Sequence, residues 1–308
     1  MASALVALLA APASAEDKPG ARIKVVATFS ILGDFVKQIG GDRVELTTLV
    51  GPNGDAHVYQ PSPADARKVA EAKLVVMNGI GLEGWFERFI TASGAKPPVT
   101  IAALQVEPMM SGIAGGEKPA GQPDAVTGHS HGAFDPHAWQ DVANAKAYVV
   151  EIKKGLEEAD PEGTATYEAN ATAYLAQLDA LDAEIRAGVA AIPASRRRII
   201  TTHDAFGYFA RAYGMTFIAP QGVSTEAEAS AKDVARIIRQ IRAEKIPAVF
   251  LENISDDRMM QRIAAETGAK IGGKVFSDAL SPPDGPAATF IDMMRNNIRQ
   301  FQGALAGT

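Results

Sequence analysis

Short apolar runs of strand length alternate with helix-length runs along nearly the whole chain, and few folds accept that alternation. Parallel strands need crossover connections, usually helices, so the pattern predicts an α/β protein with largely parallel sheets. The first half reads as strand Ile23–Phe29, helix Ile31–Ile39, strand Val44–Val50, helix Pro63–Ala72, strand Lys73–Asn78, helix Trp85–Ala92 and strand Val99–Ala103. Pro63 suits a helix start, where its missing N–H goes unused. The second half reads as strand Arg198–Thr202, helix Ala205–Tyr213, strand Met215–Ala219, helix Ala231–Glu244, strand Ala248–Glu252, helix Asp256–Thr267, strand Lys270–Phe276 and helix Thr289–Leu305. The halves share this order of about four β/α units without a residue-level repeat.

Two stretches between the halves break the rhythm. A Gly/Pro-rich segment, Gln105–Asp135, carries no periodicity and reads as a long flexible loop, followed by a helix over Val142–Glu158. In Glu162–Ala191, Tyr167, Ala171, Tyr174, Leu178, Leu181 and Ile185 recur at spacings of three and four. That stripe predicts one helix of about 28 residues, roughly 42 Å long at the standard rise. Placed between two α/β halves, it reads as a stiff connector, with an ordinary surface helix as the plainer alternative. The expected architecture is α/β, with two (β/α)4 lobes built on parallel sheets and joined by a single long backbone helix. Its boundaries would be an N-terminal lobe at 22–160 (flexible loop 105–135), a linker helix at 161–192 and a C-terminal lobe at 196–308.

The first residues carry an address. Met1–Ala15 is apolar and ends in Ala13-Ser14-Ala15, which reads as a signal peptide over 1–15, although no basic residue precedes the apolar run. No cysteine stands at the cleavage point, so the expectation is a periplasmic protein without a lipid anchor. A net charge of −6 argues against nucleic acid as a partner. The absence of cysteine is compatible with export, because ~290 residues bury an adequate core without disulfides.

The chemistry concentrates in His57, His137, His203 and Asp278, each read as lying past a buried strand. Open α/β sheets bind ligands outside the carboxyl ends of their strands. The chain has only five histidines; the other two, His129 and His131, lie in the loop before His137 and offer a weak second site with Glu117 or Asp124. Imidazoles with one carboxylate suit a first-row ion, zinc above all. Each motif has a plain reading too: His57 as a solvated loop residue, His203 as a core histidine, Asp278 as a cap. Gly79-Ile-Gly-Leu-Glu-Gly84 matches the dinucleotide pattern GxGxxG, but it follows the third strand rather than the first and lacks the later acidic residue, so tight-turn glycines explain it better.

Five blocks in order carry a resemblance over about Ile23 to Leu305: Gly54-Asp-Ala-His-Val-Tyr-Gln-Pro-Ser-Pro63, Asn78-Gly-Ile-Gly-Leu-Glu-Gly-Trp85, Asp135-Pro-His-Ala-Trp139, Thr202-His-Asp-Ala-Phe206 and Ser277-Asp-Ala-Leu-Ser281. The chain resembles the metal-binding periplasmic proteins of zinc and manganese ABC transporters, the ZnuA, TroA and AztC kind. The resemblance implies a metal clamped between two lobes, with ligands falling on His57, His137, His203 and Asp278. It implies an inner-membrane ABC permease as partner, a monomeric receptor and no enzymatic activity, and it leaves a zinc metallochaperone open as a further partner. Manganese-dedicated members resemble one another in placing a carboxylate where this chain has His203, which favours Zn²⁺ here, with Mn²⁺ as the alternative cargo. Zinc members with a long His-rich insertion differ from this chain, whose loop is poor in histidine. Asp204 and Glu252 are candidates to support the ligands, by strand-end position alone. The competing class is a zinc hydrolase with an open three-histidine site and Asp278 as base; a surface adhesin on the same fold is a third.

Overall fold

The computed structural model describes residues 22–111 and 134–306. The expected signal peptide at 1–15, His129, His131, Glu117, Asp124 and most of the expected loop lie outside the described residues. In the first half β1 (Ile23–Phe29), α1 (Ser30–Gly40), β2 (Val44–Val50), α2 (Pro63–Glu71), β3 (Leu74–Met77), α3 (Phe86–Ser93) and β4 (Val99–Ile101) follow one another. Next come two-residue strands β5 (Met109–Met110) and β6 (Phe134–Asp135), then α4 (Val142–Ala159) and α5 (Thr164–Ala190). The second half comprises β7 (Arg198–Ile200), α6 (Gly207–Tyr213), β8 (Thr216–Ile218), α7 (Ala231–Glu244), β9 (Ala248–Glu252), α8 (Arg258–Thr267), β10 (Lys270–Val275) and α9 (Phe290–Leu305).

Both halves build a four-stranded parallel sheet with the same order: β2-β1-β3-β4 in one, β8-β7-β9-β10 in the other. The repeat that the residues do not display is therefore present in the topology. In each sheet the chain reverses its direction of growth beside the first strand, which puts the binding crevice next to β1/β3 and β7/β9. The expectation of a structureless 105–135 needs one correction. Met109 and Met110 pair antiparallel with Asp135 and Phe134, a ribbon too short to show any alternation in sequence.

Local chemistry explains the elements that matter for the site. Helix α2 starts where Ser62 Oγ accepts the Asp65 N–H and Asp65 Oδ2 accepts the Ser62 N–H, a reciprocal box with Pro63 in the first turn. The glycine block is a turn: Gly79, Ile80 and Gly81 have φ of 84°, 52° and 82°. These left-handed residues wrap the backbone around Glu83, whose buried carboxylate accepts N–H bonds from Asn78 and Gly79 and the Thr28 hydroxyl. The glycines shape a carboxylate-centred turn.

Helix α5 runs 27 residues, about 40 Å at 1.5 Å per residue. Its buried stripe contains Tyr167, Ala171, Tyr174, Leu178, Leu181 and Ile185, the residues that the spacing marks out. It packs on α1 and α4 from the first half and on α6 and α9 from the second. The main apolar cluster is continuous across the halves, from Val25 and Phe35 to Phe217, Phe250 and Phe301, and a second cluster lies under α7 and α8. The connector is thus a wall of a shared core rather than a free rod. Leu178→Ala, at a fully buried position, is expected to destabilise the protein by about 2–5 kcal/mol. Because the core is shared, both halves should still unfold in one transition, checked by coincident tryptophan-fluorescence and far-UV circular dichroism curves in denaturant.

Candidate metal centre

The crevice above the two sheets gathers His57, His137, His203 and Asp278, with one ligand atom from each lying within 4.8 Å of all the others. His57 comes from the loop after β2, His203 from the loop after β7 and Asp278 from the loop after β10. His137 is the exception to the strand-end reading: it follows β6, outside both main sheets. Three of the four are fully buried and His57 is 5% exposed. His57 Nε2 lies 3.3 Å from His137 Nε2 and 3.2 Å from Asp278 Oδ2. His203 Nε2 lies 3.1 Å from Asp278 Oδ2, and His137 Nε2 lies 3.5 Å from Asp278 Oδ1.

Each side chain is fixed from behind. Asp135 Oδ1 accepts both the backbone N–H of His137 at 2.9 Å and its ring Nδ1 proton at 2.7 Å. Glu252, at the end of β9, does the same for His203: Oε1 accepts the Thr202 and His203 N–H groups, and Oε2 accepts the ring Nδ1 proton at 2.5 Å. Glu252 Oε2 also accepts the Ser277 hydroxyl at 2.9 Å, which ties the Asp278 loop to the same carboxylate. His57 is set through its backbone, with its N–H on Asp55 Oδ1 and the neighbouring Ala56 carbonyl held by Trp85 Nε1. Asn78 Nδ2 grips the Pro136 carbonyl while its Oδ1 accepts the Tyr148 hydroxyl. Trp139 Nε1 and Gln140 Nε2 both donate to the Ser277 carbonyl across the lobes.

Of the two supporting candidates from sequence, Glu252 bonds a ligand and Asp204 does not. Asp204 is held by its N–H to the Gly222 carbonyl, and burial raises its carboxyl pKa. Sequence reasoning missed Asp135 in this role. Its signal was the Asp-x-His spacing shared with Asp55-x-His57, which lets an aspartate bond the backbone two residues on.

Proton accounting then decides what the cluster can hold. Carboxylates only accept, so the Nδ1 atoms of His137 and His203 carry their protons outward. Their Nε2 lone pairs face each other and Asp278, while Asp278 Oδ1 is buried without a hydrogen-bond partner. Such a cage is unsatisfied unless a cation sits in it. Without a metal, a proton takes that role. Burial pulls the His137 pKa down, but Asp278 and Asp135 outweigh it and hold it at about 9; His203 is likewise raised by Glu252 and Asp278, and Asp278 is held well below the carboxylate range by the two histidines. For zinc–ligand bonds of about 2.0–2.1 Å, a tetrahedron has edges of ~3.3–3.4 Å. Four of the separations, 3.1–3.5 Å, lie near that size, and the whole set lies within 4.8 Å. The Asp278 carboxylate lies as close to the histidine nitrogens as they lie to one another, a position that suits a fourth donor better than the base of a hydrolase.

Comparison with known proteins agrees with this geometry. The family model described as zinc-uptake complex component A, periplasmic (ZnuA), matches residues 25–304. The chain is 32% identical over 306 residues to the manganese-binding lipoprotein MntA of Halalkalibacterium halodurans, covering 98% of this chain and 96% of that protein. It is 34% identical over 298 residues to the iron-binding protein YfeA of Yersinia pestis, covering 96% and 91%. The solved structure of the periplasmic zinc-binding protein TroA from Treponema pallidum superposes with a TM-score of 0.82 at 31% identity, over 93% of this chain and 100% of that one. The metal ABC transporter substrate-binding lipoprotein SsaB of Streptococcus sanguinis is 32% identical over 292 residues, covering 92% of this chain and 90% of that protein. The chain belongs to the ZnuA family of metal-binding, ABC-transporter substrate-binding proteins.

Proposed function

We infer that this protein captures Zn²⁺ outside the cytoplasmic membrane and delivers it to an ABC permease, with His57, His137, His203 and Asp278 as the four ligands. The observation that carries the reading is the buried acceptor-only cage drawn from both halves of one chain. A complete shell within one chain supports a monomeric receptor. No described helix is long and apolar enough to cross a membrane. A four-donor set with three imidazoles favours zinc, and the Irving–Williams order places zinc above manganese at nitrogen-rich sites. One feature supports manganese as a second cargo: both Asp278 oxygens face the histidines, which offers a fifth donor.

Asp278→Ala should lose zinc binding by two orders of magnitude or more and leave three imidazoles unbalanced. Chelator-buffered titration of both metals into wild type and this variant checks the reading. A wild-type protein that retains neither metal would sink it.

The pH dependence follows from His137. Its pKa of about 9 lies above the ordinary 6.5, so its proton stabilises the metal-free fold fully below about 6.5, an effect lost as pH rises through about 9. Zinc must displace that proton, so apparent affinity should fall by about tenfold per unit as pH drops below 9, a window higher than an unperturbed histidine gives. Calorimetry in buffers of unlike ionisation enthalpy should register at least one proton released per zinc at neutral pH.

Glu252→Gln keeps the size of the side chain that orients His203 but removes its charge. Zinc affinity is expected to fall about 10–100-fold, with the shell still complete. An unchanged affinity in competition with a chelator would show that Glu252 serves packing alone.

A further inference from the structure

The metal must leave as well as bind, and the fold offers one weak side. His137, His203 and Asp278 are fully buried, whereas His57 retains slight exposure. A small cavity of about 30 Å³, the size of one water, reaches His57 from outside. Its outer wall is the β8–α7 connection, residues 219–230, through Val223, Ser224 and Glu226; Ile80 and Phe134 face them from the other lobe. This twelve-residue connection has no regular structure, a length at which loops are usually functional. A second cavity of about 810 Å³ borders the same loop through Gln221, Thr225 and Glu228, with Asp55 in its lining and Ile254 and Met259 farther along. The loop therefore borders both the small cavity at His57 and a larger space beside it.

What holds the loop against the other lobe is a single side-chain bond among the described residues: Thr225 Oγ1 donates to Asp55 Oδ2 at 2.6 Å. The loop's other hydrogen bonds stay within its own half, from Asp204 N–H to the Gly222 carbonyl, from Gln221 N–H to the Thr202 carbonyl, and from Gln221 Nε2 to the Ala227 carbonyl. Asp55 is not a neutral anchor. Its other oxygen, Oδ1, accepts the His57 N–H at 2.9 Å. One carboxylate thus joins the loop of the second half to the backbone of the most accessible ligand of the first.

We propose that Thr225 is a positioning residue for metal release: its bond to Asp55 latches residues 219–230 over His57, and breaking that bond opens the exit. This rests on the metal-receptor reading and adds the side chain that sets the rate. The latch is charge-assisted and half-buried, strong enough to slow exchange and placed where a docking partner can reach the loop. The larger cavity beside the loop lets it withdraw without separating the two halves, whose core is continuous.

Zinc-loaded wild type, Thr225→Val and Thr225→Ser are mixed with excess chelator, and the release rate is read by stopped flow. Valine keeps the shape and removes the hydroxyl, so release should quicken tenfold or more. Serine keeps the hydroxyl and should stay within threefold of wild type. All three metal-free proteins should give the same far-UV circular dichroism spectrum, with Thr225→Val melting slightly lower for the lost bond, since Thr225 lies in a partly exposed loop. A Thr225→Val rate within twofold of wild type overturns the latch, as does a serine variant as fast as valine. A wild type that holds no zinc refutes the receptor reading instead, so the two failures are distinguishable.

Discussion

Lone pairs aimed at one another, in a place almost closed to solvent, are the constraint on which this molecule is organised. Two imidazoles with outward Nδ1 protons and a buried carboxylate cannot satisfy one another. Folding brings them together only because stronger interactions stand behind each. Asp135 and Glu252 each bond backbone and ring of their histidine, Trp139 and Gln140 hold the Ser277 carbonyl, and Asn78 holds the Pro136 carbonyl. The frustration at the centre is thus stored by the rest of the structure and relieved by a cation or, without one, by protons. The same arrangement makes metal affinity and pH inseparable in this protein.

Much of this was legible in the sequence because strands in parallel sheets are continuous apolar runs, and their ends are where polar chemistry must begin. Ile23–Phe29, Val44–Val50 and Ala248–Glu252 are strands with the residues that the pattern marks, and the α5 stripe is buried as its spacing requires. His203 and Asp278 could be found by looking just past strand ends. What could not be found is what depends on pairing between distant elements. The β5–β6 ribbon has two residues a side and no period to detect. Strand-end position marked Glu252 and Asp204 alike, and only the pairing of β9 with β7 tells them apart: Glu252 reaches the His203 ring, while Asp204 bonds the Gly222 carbonyl through its N–H. Glu83 hid inside a glycine pattern whose better-known meaning belongs to phosphate binding.

The shared core shapes how the receptor can work. Receptors with two independent cores can open about a hinge, but here one apolar cluster runs beneath both sheets and α5 packs on both halves. Prising the halves apart would expose side chains such as Phe35 and Phe290, whose rings meet across them, each costing roughly 1.5–3 kcal/mol. Loop movement at the strand ends breaks a few hydrogen bonds instead. Release by local opening is the lower path, and it places the burden on segments that lack regular structure.

Fold and metal choice are separate questions in this family. Relatives at about a third identity carry names for manganese and iron, and the TroA structure is named for zinc. The scaffold therefore supplies a rigid crevice, and the donors decide which ion fits. Here the donor spacing is set by carboxylates behind the rings, so the cage cannot expand freely to suit a larger ion. A larger or more oxygen-demanding cation would have to draw on the second oxygen of Asp278, which already faces His137 at 3.5 Å. With Asp278 as the proposed fourth ligand, selectivity would turn on whether it binds through one oxygen or two. Its loop, tied to Ser277, Glu252 and Ser30 Oγ, governs that choice as much as the histidines do.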